Sequence, residues 1–258
     1  MEQIIRTPDN TTIVISDNII MIISSTGERI YEYGDPKRII AMNFTSSLHY
    51  FFTMSEYERT LVKEWLVNVK PETDEEKAFV ARVAKAVDTV KYDYKIATIE
   101  PSITPSGRLI YEVGKKAAIG ISFEEWEKKA KEFCEGAGDV SDIATLEEYD
   151  MFIAYRIAAN FWSLSYVCND SSESGNYVDS PNGSGRMDAS GSKKVGGFFD
   201  GVGNTYKILK SGKKYIACGG NFNTWGCNYP VADITRYDDF IGTYVGYGTG
   251  VVVIKAKD

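Results

Sequence analysis

Four segments of the chain begin with the same polar signature, a Ser or Thr followed three residues later by Glu. The signature starts at Ser55, Thr73, Ser122 and Thr145. In such a capping box, the hydroxyl and the carboxylate accept hydrogen bonds from N–H groups that are left unpaired at a helix start. In the last two segments the apolar residues form one stripe at helical spacing. The pattern predicts four helices, the first ending near Val69 and the second running from Asp74 to about Val90.

Other segments are β-branched or aromatic, or alternate between apolar and polar residues, as strands do. They are Thr11–Ser24, Glu28–Tyr33, Phe161–Val167, Tyr215–Cys218 and Val251–Lys255. Turn residues predict two hairpins. These are Leu109–Val113 with Ala117–Ile121, and Phe198–Phe199 with Thr205–Leu209. Helices and strands follow one another without an internal repeat, so the pattern predicts an α+β fold.

The composition is that of a globular protein, and the charge narrows the classes of partner. Of the 258 residues, 43% are apolar and 25% are charged, and the net charge is −7. An acidic chain lacks the basic surface that binds nucleic acids or anionic membranes. The longest apolar run, Ile19–Ile23, is far shorter than a membrane span, and the first residues lack the pattern of a secretion signal. We therefore expect neither nucleic-acid binding nor membrane insertion.

Charge and glycine are divided unevenly along the chain. Residues 1–159 carry a net charge of −8 and residues 160–258 one of +1, and 16 of the 23 glycines lie in the second part. The turn-rich stretch Pro101–Gly107 is the nearest approach to a domain boundary. Polar residues fill Asn169–Lys194, and a loop of that length in a compact domain is usually functional or disordered.

The residues that commonly carry catalysis or bind metals form no motif. His49 is the only histidine, and Cys134, Cys168, Cys218 and Cys227 contain no CxxC pair. Such cysteines are by default buried free thiols, with a Cys218–Cys227 disulfide or redox pair as the alternative. The stretch Asp170–Gly175 resembles the start of a calcium loop, but the twelfth position is Pro181 and not the Glu that binds calcium. We predict no catalytic residue, no cofactor and no metal.

The most unusual stretch of the sequence is Gly219–Tyr247. Seven of its 29 residues are aromatic, and Asn, Asp, Thr and Gly fill most of the rest. Antibody paratopes have this composition, because rigid rings supply contact area while small polar residues supply adaptable hydrogen bonds. The composition favours a recognition surface. The alternative is a packed, irregular loop whose aromatic residues belong to the core.

Four motifs between about residue 108 and the end resemble the C-type lectin fold, in the branch shared by formylglycine-generating enzymes and the variable proteins of diversity-generating retroelements. Ser122–Trp126 with Cys134 resembles the first helix of that fold, and Asp142–Tyr149 resembles the start of its second helix. Cys218–Asn223 is similar to the strand end "RGGSWN" of the family, and Gly250–Ile254 is similar to the closing strand. Together the motifs cover about 150 residues and implicate the variable proteins most.

The resemblance implies a division of the chain and a set of displayed residues. Residues 1–105 would form a smaller N-terminal α/β region, and residues 106–258 a C-type-lectin-like domain with a variable segment at about 219–250. In the family, an error-prone reverse transcriptase diversifies this segment at adenines, and Asn codons are its usual targets. The recognition positions implied are Asn221, Phe222, Asn223, Trp225, Asn228, Tyr229, Asp233, Thr235, Arg236, Tyr237, Asp238, Tyr244 and Tyr247.

The function that the resemblance implies is binding of a protein or cell-surface receptor, without catalysis, through a hypervariable C-terminal surface. A virus attachment protein or a microbial display protein would fit, on a virion or cell surface reached without a Sec signal; otherwise the protein would be cytoplasmic. The N-terminal region would mount the display domain on a particle or on other copies of itself, as a homo-oligomer. Two alternatives stay open: a copper oxidase of the formylglycine-generating type, and a structural virion subunit.

Overall fold

The chain forms two compact units, Met1–Thr45 and Ser46–Asp258. The computed structural model describes residues 3–6, 12–15, 20–23, 29–33, 47–105, 107–134, 139–181, 183, 186–189, 194–195, 198–199, 203–235 and 248–256. For the strands of the first unit, His49, residues 194–195 and 198–199, and Thr235, only the backbone is described. The larger unit contains residues on both sides of the predicted boundary after residue 105.

The smaller unit is an antiparallel sheet in which consecutive strands are neighbours. Its strands are β1 (Gln3–Arg6), β2 (Thr12–Ile15), β3 (Ile20–Ile23) and β4 (Arg29–Tyr33). Gln3 lies opposite Ile15, and Ile15 lies opposite Ile20, so the register is regular as far as the shift after Ile22. The segment Thr11–Ser24, predicted as one strand, thus contains two.

Five helices lie in the described part of the larger unit. They are α1 (Glu56–Asn68), α2 (Asp74–Thr89), α3 (Phe123–Glu132), α4 (Leu146–Ala158) and α5 (Leu164–Cys168). The first four begin where the capping signatures predict. Both halves of the box form at Ser55 and Thr145. At Thr73 and Ser122 the hydroxyl accepts the expected N–H, whereas the carboxylate of Glu76 accepts the N–H of Glu72 at 2.7 Å.

The described part of the larger unit contains two four-stranded sheets and two two-stranded sheets. Its strands are β5 (Phe51–Met54), β6 (Tyr94–Ala97), β7 (Ser102–Ile103), β8 (Leu109–Ile110), β9 (Asp139–Ile143), β10 (Lys194–Val195), β11 (Phe198–Phe199), β12 (Tyr206–Ser211), β13 (Lys214–Cys218), β14 (Ile234–Thr235), β15 (Gly248–Gly250) and β16 (Val252–Ala256). The two-stranded sheets are β7-β8 and β10-β11. One four-stranded sheet has the order β5-β6-β16-β9, and the other has the order β14-β13-β12-β15. Strand β15 belongs to the second of these four-stranded sheets and β16, which follows it almost directly, belongs to the first, so the chain passes from one sheet to the other at Val251.

The mixture of helices and sheets confirms the α+β class, but three local predictions are wrong. Phe161–Val167 is not a strand, since its second half forms α5 with Ser163 as N-cap. The hairpin Leu109–Val113 with Ala117–Ile121 does not form, because β8 pairs with β7. The pairing of Phe198–Phe199 with Thr205–Leu209 is also absent from the described residues, where β11 pairs with β10 and β12 pairs with β13 and β15.

Helix α4 lies at the centre of the larger unit and is buried on nearly every side. It carries charged groups into the core, where each must have a partner because burial of a lone charge is costly. The Asp150 carboxylate accepts hydrogen bonds from Arg82 of α2, with Nε at 2.9 Å. Glu148 accepts from Tyr92 and from Lys255, each at 2.6 Å. These contacts join α4 to α2 and to β16.

Glu127 joins α3 to the second sheet through hydrogen bonds. We expect this contact to weaken, and the protein to become less stable, at acid pH. Its carboxylate accepts hydrogen bonds from Lys131 at 2.6 Å, from Lys210 at 2.8 Å and from the Tyr215 hydroxyl. These donors lower the pKa of Glu127 to about 2. Because the folded-state pKa is depressed, this stabilisation is complete above pH about 4.5 and is lost as the pH falls toward 2.

We expect Glu127→Gln to lower the free energy of unfolding at pH 7 by about 1–2 kcal/mol, less than the full pKa shift because water partly screens the group. The loss should shrink progressively between pH 4.5 and 2. Urea unfolding at several pH values measures it. Glu124→Gln, an exposed position on the same helix, is the matched control. A deficit that is the same at pH 7 and pH 3 would contradict the assignment.

Candidate ligand-binding surface

The predicted recognition segment begins with two glycines that turn the chain sharply after β13. Gly219 has a φ of +67°, a conformation that favours glycine. Its N–H donates to the Asp233 carbonyl at 2.9 Å. Gly220 is closely surrounded, because a Cβ there would lie 2.4 Å from Thr224 Oγ1 and 2.7 Å from a ring carbon of Tyr177. The Gly-Gly pair is therefore required by this turn.

Two successive turns follow, and together with the glycines they form residues 219–229, which we name the display turn. In the first, the Asn221 side-chain oxygen accepts the N–H of Asn223 at 2.8 Å, and Thr224 Oγ1 accepts the N–H of Asn221 at 2.9 Å. In the second, the N–H of Tyr229 donates to the Trp225 carbonyl at 3.0 Å. Short polar side chains thus fold the first turn through local hydrogen bonds, as such residues commonly do.

A second segment, residues 166–181, lies against the display turn, and we name it the support loop. The N–H of Val178 donates to the Thr224 carbonyl at 3.0 Å, and the N–H of Ser171 donates to the Gly226 carbonyl at 3.2 Å. In return, the N–H of Gly226 donates to the Asp179 carboxylate at 2.7 Å. The support loop therefore fixes the backbone of the display turn at Thr224 and Gly226 through these hydrogen bonds.

The end of the display turn is fixed in the same way. The N–H of Val231 donates to the Ser171 hydroxyl at 3.1 Å, and the buried Tyr177 hydroxyl donates to the Tyr229 carbonyl, also at 3.1 Å. At the start, the N–H of Phe222 donates to the Asn204 carbonyl at 3.2 Å. Backbone atoms and support-loop side chains supply these bonds. None of them uses a side chain of the display turn.

The side chains of the display turn differ sharply in exposure. Trp225 is 54% exposed, an unusual degree for an indole. Asn223, Cys227 and Asn228 are also exposed. Phe222, Tyr229 and Asp233 are half-buried. Asn221 is only 3% exposed and its side chain is used inside the turn, so the expectation that it is displayed does not hold.

The other predicted positions lie partly beyond what the structure describes. Thr235 ends β14, where its backbone lies opposite Ala217 of β13. Arg236, Tyr237, Asp238, Tyr244 and Tyr247 lie outside the described residues. Sequence reasoning missed Val178, which is 46% exposed and follows the fully buried Tyr177 in the support loop. The sequence did mark the region around Val178, because the loop after Asn169 is unusually long and polar, but it did not single out this residue.

All four cysteines are free thiols. Cys134, Cys168 and Cys218 are buried, as predicted, whereas Cys227 is exposed on the display turn. Burial raises the pKa of Cys134 to about 11 and that of Cys168 to about 12. It also raises the pKa of Cys218 strongly. Reactive or metal-binding cysteines need the opposite shift, because the thiolate is the active form.

A buried polar network lies behind the surface. The Glu100 carboxylate, 2% exposed, accepts hydrogen bonds from Lys207 Nζ at 2.8 Å and from the Asn204 amide. The Asn204 side-chain oxygen accepts from Asn176 at 2.9 Å and from the N–H of Asp188 at 2.7 Å. Since Asn204 also receives the N–H of Phe222, the network reaches from β12 to the start of the display turn.

A small cavity lies close to this network. It lies between Glu100, Lys207 and Arg156, and its volume is about 30 Å³. The Arg156 guanidinium lies 4.2 Å from the ring centre of Phe152 and 4.3 Å from that of Trp162. Burial lowers the pKa of Arg156 to about 9. A cavity of this volume is large enough to hold a water molecule.

Within the parts of the chain that the structure describes, no three His, Cys, Asp or Glu side chains are grouped so that they could hold a metal ion. No described helix is long and apolar enough to cross a membrane. No model of a protein family matches the sequence, and no curated protein matches it either. The display turn and the support loop, which form an exposed surface on a fixed backbone, are therefore the strongest candidate for a functional site.

Proposed function

We propose that the protein binds a protein or cell-surface receptor through the display turn, and that its C-terminal region is a C-type-lectin-like domain of the kind found in variable proteins of diversity-generating retroelements. One observation carries the proposal. The backbone of residues 219–231 is held by backbone atoms, by support-loop side chains and by the side chains of Asn221 and Thr224, while Asn223, Trp225, Cys227 and Asn228 are exposed. Such a surface tolerates changes of the exposed side chains, because the scaffold does not depend on them.

The positions of the four motifs support the likeness to the lectin fold. Ser122 caps α3, and Thr145 caps α4. The Gly-Gly motif follows the end of β13 directly, and the closing motif contains the start of β16. Each motif thus lies on the type of element that the resemblance requires, in the same order along the chain.

A pair of displayed libraries tests the binding function. In the first library, Asn223, Trp225, Cys227 and Asn228 are randomised; in the matched control, Asn221, Thr224, Gly226 and Val231 are randomised. We expect the first library to keep most of the folded fraction of the parent, and the control to lose more than about tenfold, because its positions are buried or make the turn. The first library should also yield binders to a panel of immobilised proteins.

Equal losses of folded protein in the two libraries would contradict the division into a scaffold and a separate binding surface. An absence of binders would contradict the binding function.

Diversification is tested separately in the flanking genome. We expect a near-copy of the codons for residues 219–254, differing almost only at adenines, beside a reverse-transcriptase gene. If the near-copy and the reverse-transcriptase gene are absent, the proposal of diversification is wrong, and the binding function is supported by the libraries alone.

A further inference from the structure

The exposed Trp225 follows a residue whose backbone is hydrogen-bonded to a second exposed apolar residue, Val178. Val178 of the support loop is 46% exposed, and its N–H donates to the carbonyl of Thr224, the residue that precedes Trp225. Both side chains belong to backbone that hydrogen bonds hold in place. A ligand that covers them therefore meets a surface with little conformational freedom to lose, which favours binding.

The charged side chains of the support loop and the display turn are all negative. The support loop and the display turn contain three carboxylates, Asp170, Glu173 and Asp179, and neither Lys nor Arg. Asp170 and Glu173 are exposed. None of the ion pairs found among the described residues includes any of the three. Among the described residues, these carboxylates therefore take part in no ion pair.

The carboxylates lie close to the display turn itself. Asp179 accepts the N–H of Gly226, the residue after Trp225. Partial desolvation raises the pKa of the Cys227 thiol, two residues from Trp225, and the nearby carboxylates of Asp179 and Asp170 raise it further. The face of an indole is also negative, and it attracts a cation held within about 6 Å of the ring. Anionic ligands are repelled by the same field.

We infer that the display turn recognises a cationic segment of a partner protein, with a Lys or Arg side chain placed over the Trp225 ring and the carboxylates of the support loop around it. The inference rests on the proposed function and names the class of ligand for that site. Val178 supplies apolar contact beside the cation. Asp170 and Glu173 steer the approach of the partner, a contribution that salt weakens.

The test uses the full-length protein and labelled peptides of about ten residues in which Gly alternates with Arg, Glu or Ser. Fluorescence anisotropy measures the Kd of each peptide. We expect the Arg peptide to bind at least about tenfold more tightly than the Ser peptide, and the Glu peptide to bind least. Trp225→Ala should weaken binding of the Arg peptide about tenfold or more, and Trp225→Phe should retain part of it, since the phenyl face is a weaker site for a cation.

A matched pair of charge variants separates this site from general attraction to an acidic protein. Asp170→Asn with Glu173→Gln removes two charges of the support loop, and the amide that replaces the Asp170 carboxylate keeps an oxygen to accept the N–H of Ser172. Asp74→Asn with Glu75→Gln removes two charges at the start of α2. Binding should weaken several-fold more in the first variant, and raising NaCl from about 50 to about 300 mM should narrow the difference.

Equal losses in the two charge variants, or an Arg peptide that binds Trp225→Ala as tightly as the parent, would overturn the inference. The proposed function fails in a different way, since it depends on whether the randomised surface yields binders. Libraries that yield binders only to acidic or uncharged targets would leave the function standing and remove the cationic ligand. Far-UV circular dichroism of each variant shows that a loss of binding is not a loss of folding.

Discussion

Replacing Glu100 with Gln is expected to lower the free energy of unfolding by about 3–5 kcal/mol, because it leaves the buried ammonium of Lys207 without its counter-charge. The two groups are 2.8 Å apart, and the side chains are 1% and 10% exposed. Urea unfolding measures the loss, which should appear as a lower midpoint at unchanged slope. The carboxylate also accepts from the Thr205 hydroxyl at 2.5 Å, so the substitution disturbs more than one hydrogen bond.

A second variant separates the ion pair from the rest of the network. Glu100→Gln combined with Lys207→Met removes both charges, and we expect it to recover a substantial part of the stability lost by Glu100→Gln alone. A loss below about 1 kcal/mol for Glu100→Gln would contradict the assignment. So would a double variant that is less stable than the single variant by the full cost of Lys207→Met alone, because that would show that the two charges do not interact.

The network also connects stability to the candidate site. Asn204 accepts the N–H of Phe222 through its carbonyl and donates to Glu100 through its side chain. We therefore expect Glu100→Gln to loosen the first turn of the display turn before the rest of the molecule. Amide hydrogen exchange should show earlier loss of protection at Phe222 than at residues of α4, which report global opening.

Local sequence signals predicted the helices well and the strand pairing poorly. The signatures at Ser55 and Thr145 predict helix starts because the residues that satisfy the free N–H groups lie within one turn of the chain. The helix α5 was missed because it has only five residues, and periodicity over so short a stretch does not separate helix from strand. Strands β7 and β8 are joined by a short turn within and just after the turn-rich stretch Pro101–Gly107, so a local signal for this hairpin was present but was interpreted as a domain boundary.

The same distinction explains what the sequence revealed of the site. Composition indicated residues 219–247 as a recognition segment, and the displayed Trp225 agrees with that interpretation. Composition does not tell which side chains face inward, so Asn221 was grouped with the displayed residues although it folds the turn. The support loop and Glu100 reach the display turn across tens of residues or more, and a single sequence carries no signal of such contacts.

Gly226→Ala tests whether contact with the support loop fixes the display turn, and we expect it to lower the free energy of unfolding by about 1–3 kcal/mol. A Cβ at this position would lie 2.6 Å from the backbone nitrogen of Ser172 and 2.7 Å from its Cα. Backbone atoms do not rotate away as a flexible side chain does, so one of the two segments must shift. Urea unfolding and binding of the Arg peptide are measured on the same variant.

Two controls make the result specific to this contact. Gly212→Ala places a Cβ in open space at a φ of +62°, so it reports backbone strain without a clash. Trp225→Ala removes an exposed side chain and should change stability by less than about 0.5 kcal/mol while it abolishes most of the binding. Gly226→Ala should instead weaken both properties, since the scaffold positions the indole. If Gly226→Ala were as stable as the parent, the support loop would not hold the turn, and the separation of a fixed backbone from free side chains would lose its basis.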